Sequence, residues 1–117
     1  MSSLAEILKR KAERKKKLQQ SLESLINQLK SLGALKIILF GSLARDEVDI
    51  NSDLDVFVLM PSNKSGKEWM DIIYEKREIG VAADIIAYNL EEFKKKLSVS
   101  SFLGNIINSG RIQYEKT

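Results

Sequence analysis

The stretch Phe40-Gly41-Ser42-Leu43-Ala44-Arg45, followed by Ser52-Asp53-Leu54-Asp55-Val56-Phe57-Val58, decides how this chain folds. Residues 35–40 are short and almost wholly apolar, which predicts a strand that ends at Gly41-Ser42. Residues 54–60 predict a second strand, stopped by Pro61. Side chains two apart on a strand share a face, so Asp53 and Asp55 point together while Leu54 and Val56 point to the core. Two like charges held that close repel, and burying them unpaired is costly or moves their pKa values. A divalent cation between them removes the penalty. Asp84 adds a third acid inside a further predicted strand, between Ala83 and Ile85, where polar residues are not expected.

Cysteine and histidine are both absent. Disulfides, the usual structural zinc sites, thiol nucleophiles and imidazole bases are therefore excluded together. Any metal has to be held by oxygen, which favours a hard ion such as Mg²⁺, and three carboxylates suit two such ions. Gly41-Ser42 lets a phosphate approach the backbone, and the turn that follows offers N–H groups and a hydroxyl for an anion.

The rest of the chain arranges itself around these segments. Residues 4–32 predict a long helix, with Leu18, Leu22, Leu25, Ile26 and Leu29 as its apolar stripe and Gly33 as its stop. Its second half is expected to pack on the domain and its first half to project or meet a partner. A helical turn is expected over 42–46, starting at Ser42 as cap. Residues 67–78 predict a helix with Trp69, Ile72 and Ile73 on its apolar side. A third strand follows at 81–88. Asn89 with Glu92 predicts a capping box that opens a helix to 97, and a last helix covers 100–109 before a short tail, 111–114. The order is α-β-α-β-α-β-α-α, an α/β (α+β) fold with one mixed sheet flanked by helices. With no repeat or linker, residues 1–117 read as a single domain, of which 1–17 form a basic helical extension.

The net charge of +3 is concentrated between Lys9 and Lys17, and the remainder of the chain is slightly acidic. That run reads first as a solvated helix face, with RNA or partner contact as the sharper alternative. Asp46, Glu47 and Asp49 read as solvated loop acids, Lys64 and Lys67 as surface lysines, and Trp69 as core rather than a base-stacking platform. No apolar run is long enough to span a bilayer and Met1-Ser2-Ser3-Leu4 lacks a signal pattern, so a soluble, cytoplasmic protein without a membrane partner is expected.

The segments 40–45 and 52–58, with Asp84-Ile85-Ile86 after them, resemble the motif set of the DNA polymerase beta-like nucleotidyltransferase superfamily. Within it the chain most resembles the minimal nucleotidyltransferases, or MNT proteins. The ending from Gly104 to Tyr114 is also similar to theirs, and the basic first half of the first helix lies outside the resemblance. The resemblance implies that Gly41 and Ser42 grip a nucleoside triphosphate, and that Asp53 and Asp55 hold two Mg²⁺ ions. It gives Asp84 the ion beside the attacking hydroxyl and a part in deprotonating it, and Arg45 a phosphate-facing or structural role. Asp46 departs from the pattern, since relatives often carry glycine there.

The implied reaction moves a nucleoside monophosphate, AMP if the donor is ATP, onto an acceptor hydroxyl with loss of pyrophosphate. Many MNT proteins partner HEPN-domain proteins in toxin–antitoxin pairs, which makes a tyrosine of such a toxin an expected acceptor. Two other readings stand beside this one. The first is a non-catalytic protein of the same fold that neutralises a partner sterically. The second is a catalytic subunit acting on a small molecule or RNA end, its acceptor site shared with a second chain or with another copy of this one.

Overall fold

A computed structural model describes residues 3–76 and 82–117. Helix α1 spans Leu4–Ser31, and Ser3 caps it by accepting a hydrogen bond from the Glu6 backbone N–H at 3.2 Å. Leu18, Leu22, Leu25 and Leu29 return every turn and are buried, whereas Leu4 and Leu8 near its start are exposed. The helix stops as its glycine predicts. Gly33 takes φ 98°, its N–H donates to Lys30 O and that of Ala34 to Leu29 O, which satisfies the last carbonyls of the helix.

Strand β1 (Lys36–Phe40) runs into a short turn of helix, α2 (Gly41–Ala44), and a loop then leads to β2 (Leu54–Met60). Helix α3 (Gly66–Lys76) precedes β3 (Ala83–Asn89), and α4 (Leu90–Lys96) and α5 (Ser101–Ser109) lead to β4 (Arg111–Glu115). The sheet order is β3-β2-β1-β4. β1 pairs antiparallel with β2 and β4, while β2 and β3 are parallel. A parallel pair needs a crossover, and α3 supplies the helical part of it.

Alternation along the strands sorts the core into two layers. Ile37, Leu39, Leu54, Val56, Val58, Met60, Ile85 and Ala87 face α1 and α3, packing with Trp69 and Ile73. Ile38, Phe57 and Leu59 face the other way, onto Leu103 and Ile106 of α5 and Phe93 of α4. The central strand β2 is thus covered on both faces, and Asp55 is its one position that is not buried.

Three expectations change. The tail is a strand: β4 pairs Ile38 with Ile112, Ile37 with Tyr114 and Lys36 with Glu115, with an irregularity between Ile37 and Ile38. Arg111-Ile112-Gln113-Tyr114-Glu115 shows little apolar alternation because an edge strand buries little, and all of it stays exposed or half-buried. The turn after β1 begins at Gly41, with Phe40 in the cap position, so Ser42 is inside the turn and not its cap. The first half of α1 projects only at its start, because Lys11, Arg14 and Lys15 contact the loop ahead of β2. The capping box is present as expected, with Asn89 and Glu92 bonded reciprocally. The end of the expected helix 67–78 and the start of the expected strand at Val81 lie outside the described residues.

Candidate active site

Register brings the chemistry together. Phe40 at the end of β1 stands opposite Asp55, and Asp55 stands opposite Asp84 on the parallel neighbour. By alternation Asp55 and Asp84 share the face of Phe57 and Ile86, at the end of that face beyond the cover of α4 and α5. Phe102 of α5 packs edge-on against Phe40, with ring centroids 6.0 Å apart, and forms an apolar wall beside the acids.

Gly41 lies against Asp55. Its φ is 75°, in the left-handed region, and a Cβ there would collide with Asp55 Oδ2 and come within 2.8 Å of Asp55 Cγ. A side chain at this position is therefore excluded twice, by backbone conformation and by the carboxylate it would strike. The glycine lets the β1–α2 turn close over the acid. Ser42, the next residue, is half-buried, and its carbonyl accepts a hydrogen bond from the Glu47 N–H at 2.9 Å.

Asp55 is half-buried, and its carboxyl is pushed above the usual carboxylate range. Desolvation is the main cause, followed by the charges of Asp84 and then Asp53, with Arg45 opposing them. Asp53 sits just before β2 and is more exposed. Its Oδ1 is 3.7 Å from a guanidinium nitrogen of Arg14. Among the described residues no three acids gather closely enough to form a ready-made metal cluster. The paired unit is Asp55 with Asp84, and Asp53 is turned toward Arg14. An all-oxygen donor set with a disfavoured charge at its centre fits a hard divalent cation, which would relieve the repulsion at Asp55.

The remaining residues divide clearly. Arg45 is exposed and donates from Nε to Glu47 Oε2 at 3.0 Å, so at Asp55 it acts as a nearby charge. Trp69 is core: it is buried and donates from Nε1 to Pro61 O at 2.9 Å, with the Lys64 ammonium over its ring. Two contributors escaped the sequence reading. Phe102 was one apolar residue of a short helix, and Arg14 one basic residue in a basic run. No spacing rule marks either as part of a site assembled from the far strands.

Asp46 also finds its explanation. Its φ is 56°, so the position wants glycine for conformation, and aspartate tolerates it better than most residues. Its carboxylate meets Lys15 Nζ at 2.6 Å, and this hydrogen bond and charge hold its pKa below the usual value. With Lys15, Arg111 and Gln113 it lines a cleft of about 350 Å³ on the α1 side of the sheet, opposite Asp55. The departure therefore puts no acid beside the site. Asp46→Gly and Asp46→Val both remove the contact with Lys15, so comparing them isolates the backbone. Thermal unfolding should place the valine variant several degrees below the glycine variant. Equal melting temperatures would refute the conformational account.

The fold is an α+β domain whose β1–α2 turn closes over a half-buried carboxylate paired with a second acid. Residues 22–112 match the family model described as nucleotidyltransferase domain. The chain belongs to this nucleotidyltransferase family. Its fold is similar to the crystal structure of a provisionally assigned nucleotidyltransferase from Sulfolobus solfataricus, with a TM-score of 0.54 and 12% sequence identity. That alignment covers 94% of this chain and 87% of the other. Comparison with curated proteins gives no significant match. Among the described residues no helix is long and apolar enough to cross a membrane.

Proposed function

We propose that this nucleotidyltransferase uses Mg²⁺ to move AMP from ATP onto a hydroxyl of a partner protein. We further propose that it is the antitoxin of a HEPN/MNT pair, with residues 1–117 acting as one domain. The observation that carries the catalytic reading is the register that sets Asp55 beside Asp84, with Gly41 closed over Asp55. The antitoxin role rests on the resemblance to MNT proteins, and a cytoplasmic location is proposed with it.

In this scheme the acceptor oxygen attacks the α-phosphorus, a P–O bond forms, and the bond to the bridging oxygen breaks to release pyrophosphate. The Gly41-Ser42 turn binds the triphosphate, which approaches the backbone where no Cβ intervenes. Asp55, Asp84 and Asp53 would hold the cation, Asp53 turning from Arg14 to do so, and Asp84 would take the hydroxyl proton. When bound, the divalent cation lowers the pKa of the hydroxyl and stabilises the departing charge. Arg45, 59% exposed at its side chain, is free to swing from Glu47 toward a phosphate. The Phe40–Phe102 wall offers an apolar surface to the acceptor.

ATP labelled at the α-phosphate, with Mg²⁺ and the candidate acceptor, should label the acceptor, and a chelator should prevent it. Label arriving from the γ-phosphate instead would sink the reading.

One observation favours a second reading. No three-acid cluster is preformed among the described residues, as suits a protein that neutralises its partner by covering it. The double variant Asp53→Asn, Asp55→Asn separates the two readings. Full neutralisation by the double variant selects the steric reading.

A further inference from the structure

We propose that the basic face of α1 is an internal strap that holds the loop carrying Asp53, with Arg14 as its positioning residue. Lys11, Arg14, Lys15 and Leu18 follow one another at helical spacing and share a face. Leu18 is fully buried and roots that face in the core. The cations N-terminal to it reach the loop at three places. Lys15 Nζ meets Asp46 Oδ1 at 2.6 Å, Lys11 Nζ lies 4.0 Å from Asp49 Oδ1, and Arg14 closes on Ser52 and Asp53.

Arg14 is the contact that matters most. Its Nε donates to the Ser52 carbonyl at 2.8 Å while its terminal nitrogen faces Asp53. Its side chain is 22% exposed, against 43% for Lys11 and 41% for Lys15. Exposed ion pairs of the lysine kind contribute little, whereas a shielded guanidinium holding a carbonyl fixes geometry. Ser52 is also the hinge of a compact turn. Its hydroxyl accepts from the Asp49 N–H at 2.7 Å, and its own N–H donates to Asp49 O at 3.1 Å. Anchoring Ser52 therefore orients the turn, the carboxylate that follows it and the head of β2.

The strap lies ahead of residues 22–112, the part that matches the family model. It also accounts for Lys11, Arg14 and Lys15 of the basic run. The face toward the loop is an intramolecular device, and Lys9 and Lys16 lie on the opposite, exposed face. The inference deepens the transfer reading, because the loop it holds carries Asp53, but its test needs no nucleotide. Failure of the strap and failure of transfer are thus distinguishable.

The test is amide hydrogen exchange on the full chain without ligand. Arg14→Ala should speed exchange at the Asp49 and Ser52 amides by about tenfold or more, leaving Ile37 to Leu39 of β1 unchanged. Arg14→Lys, which can still donate to the Ser52 carbonyl, should recover most of the protection. The pair Lys9→Ala, Lys16→Ala removes charge from the opposite face and should change nothing in the loop. Unchanged loop exchange in Arg14→Ala would overturn the strap, and so would an equal effect from the control pair. If a single-stranded RNA oligonucleotide bound the wild type and was lost by Arg14→Ala while loop exchange stayed the same, the face would belong to nucleic acid instead.

Discussion

Asp55→Asn is expected to abolish nucleotidyl transfer and, in the same molecule, to raise the melting temperature. Asp55 is desolvated and faces the charges of Asp84 and Asp53, so its carboxyl is pushed above 3.8. A raised folded-state pKa means that the folded protein binds this proton more readily than the unfolded chain. The ionised group therefore opposes the fold, and its contribution to stability falls as pH rises from 3.8 through the folded-state pKa. Asparagine keeps the shape and removes the charge. Because the group is only half-buried, solvent screening keeps the gain small, a rise of no more than about a few degrees in melting temperature.

Transfer should fall by about a thousandfold or more, the scale expected when a metal-holding carboxylate is lost. Mg²⁺ should stabilise the wild type more than the variant, since the cation relieves a repulsion that the variant lacks. Scanning calorimetry with and without Mg²⁺ measures both effects. A lower melting temperature in Asp55→Asn, or retained transfer, would break the link between the acid pair and function.

The second large effect belongs to Gly41→Ala. An alanine at φ 75° carries a conformational cost of about 1–2 kcal/mol, and its Cβ strikes Asp55. A total near 2–3 kcal/mol is expected, with transfer falling at least a hundredfold as the turn is forced off the acid. The collision is separable from the backbone cost. In an Asp55→Ala background the carboxylate is gone, so Gly41→Ala should then cost only the conformational part. Chemical denaturation of the four proteins in that cycle measures the coupling. Additive effects would mean that Gly41 and Asp55 do not touch in solution.

The parts of this molecule that could be read beforehand are those whose signal is local. Leu18 to Leu29 repeat at helical spacing, Gly33 stops a helix, Asn89 and Glu92 cap one, and Pro61 ends a strand. Asp55 and Asp84 stood out in the sequence because a carboxylate in an apolar strand contradicts its surroundings. Asp53, read as sharing Asp55's strand face, instead lies just ahead of β2 and is exposed. What escaped depends on partners distant in sequence. β4 is a strand because β1 offers it hydrogen bonds, and its own residues carry no alternation to announce it. Arg14 differs from the other basic residues of its run only in what the folded chain sets opposite it. Asp46 looked like a misplaced charge because composition is silent on φ.

The pairing of β4 with β1 also bears on how the protein comes into being. It joins Ile112 to Ile38 across most of the chain, whereas β1 and β2, which unite Gly41 with Asp55, are near neighbours in sequence. Closing long loops is slow because their entropy is lost before any contact repays it. During synthesis from the N-terminus, the Gly41–Asp55 contact can form as soon as residue 60 is available. Asp84 joins it later, and the outer edge of β1 stays open until residues 111–115 arrive. A ribosome-bound chain thus acquires the Gly41 turn first and the fourth strand of its sheet later.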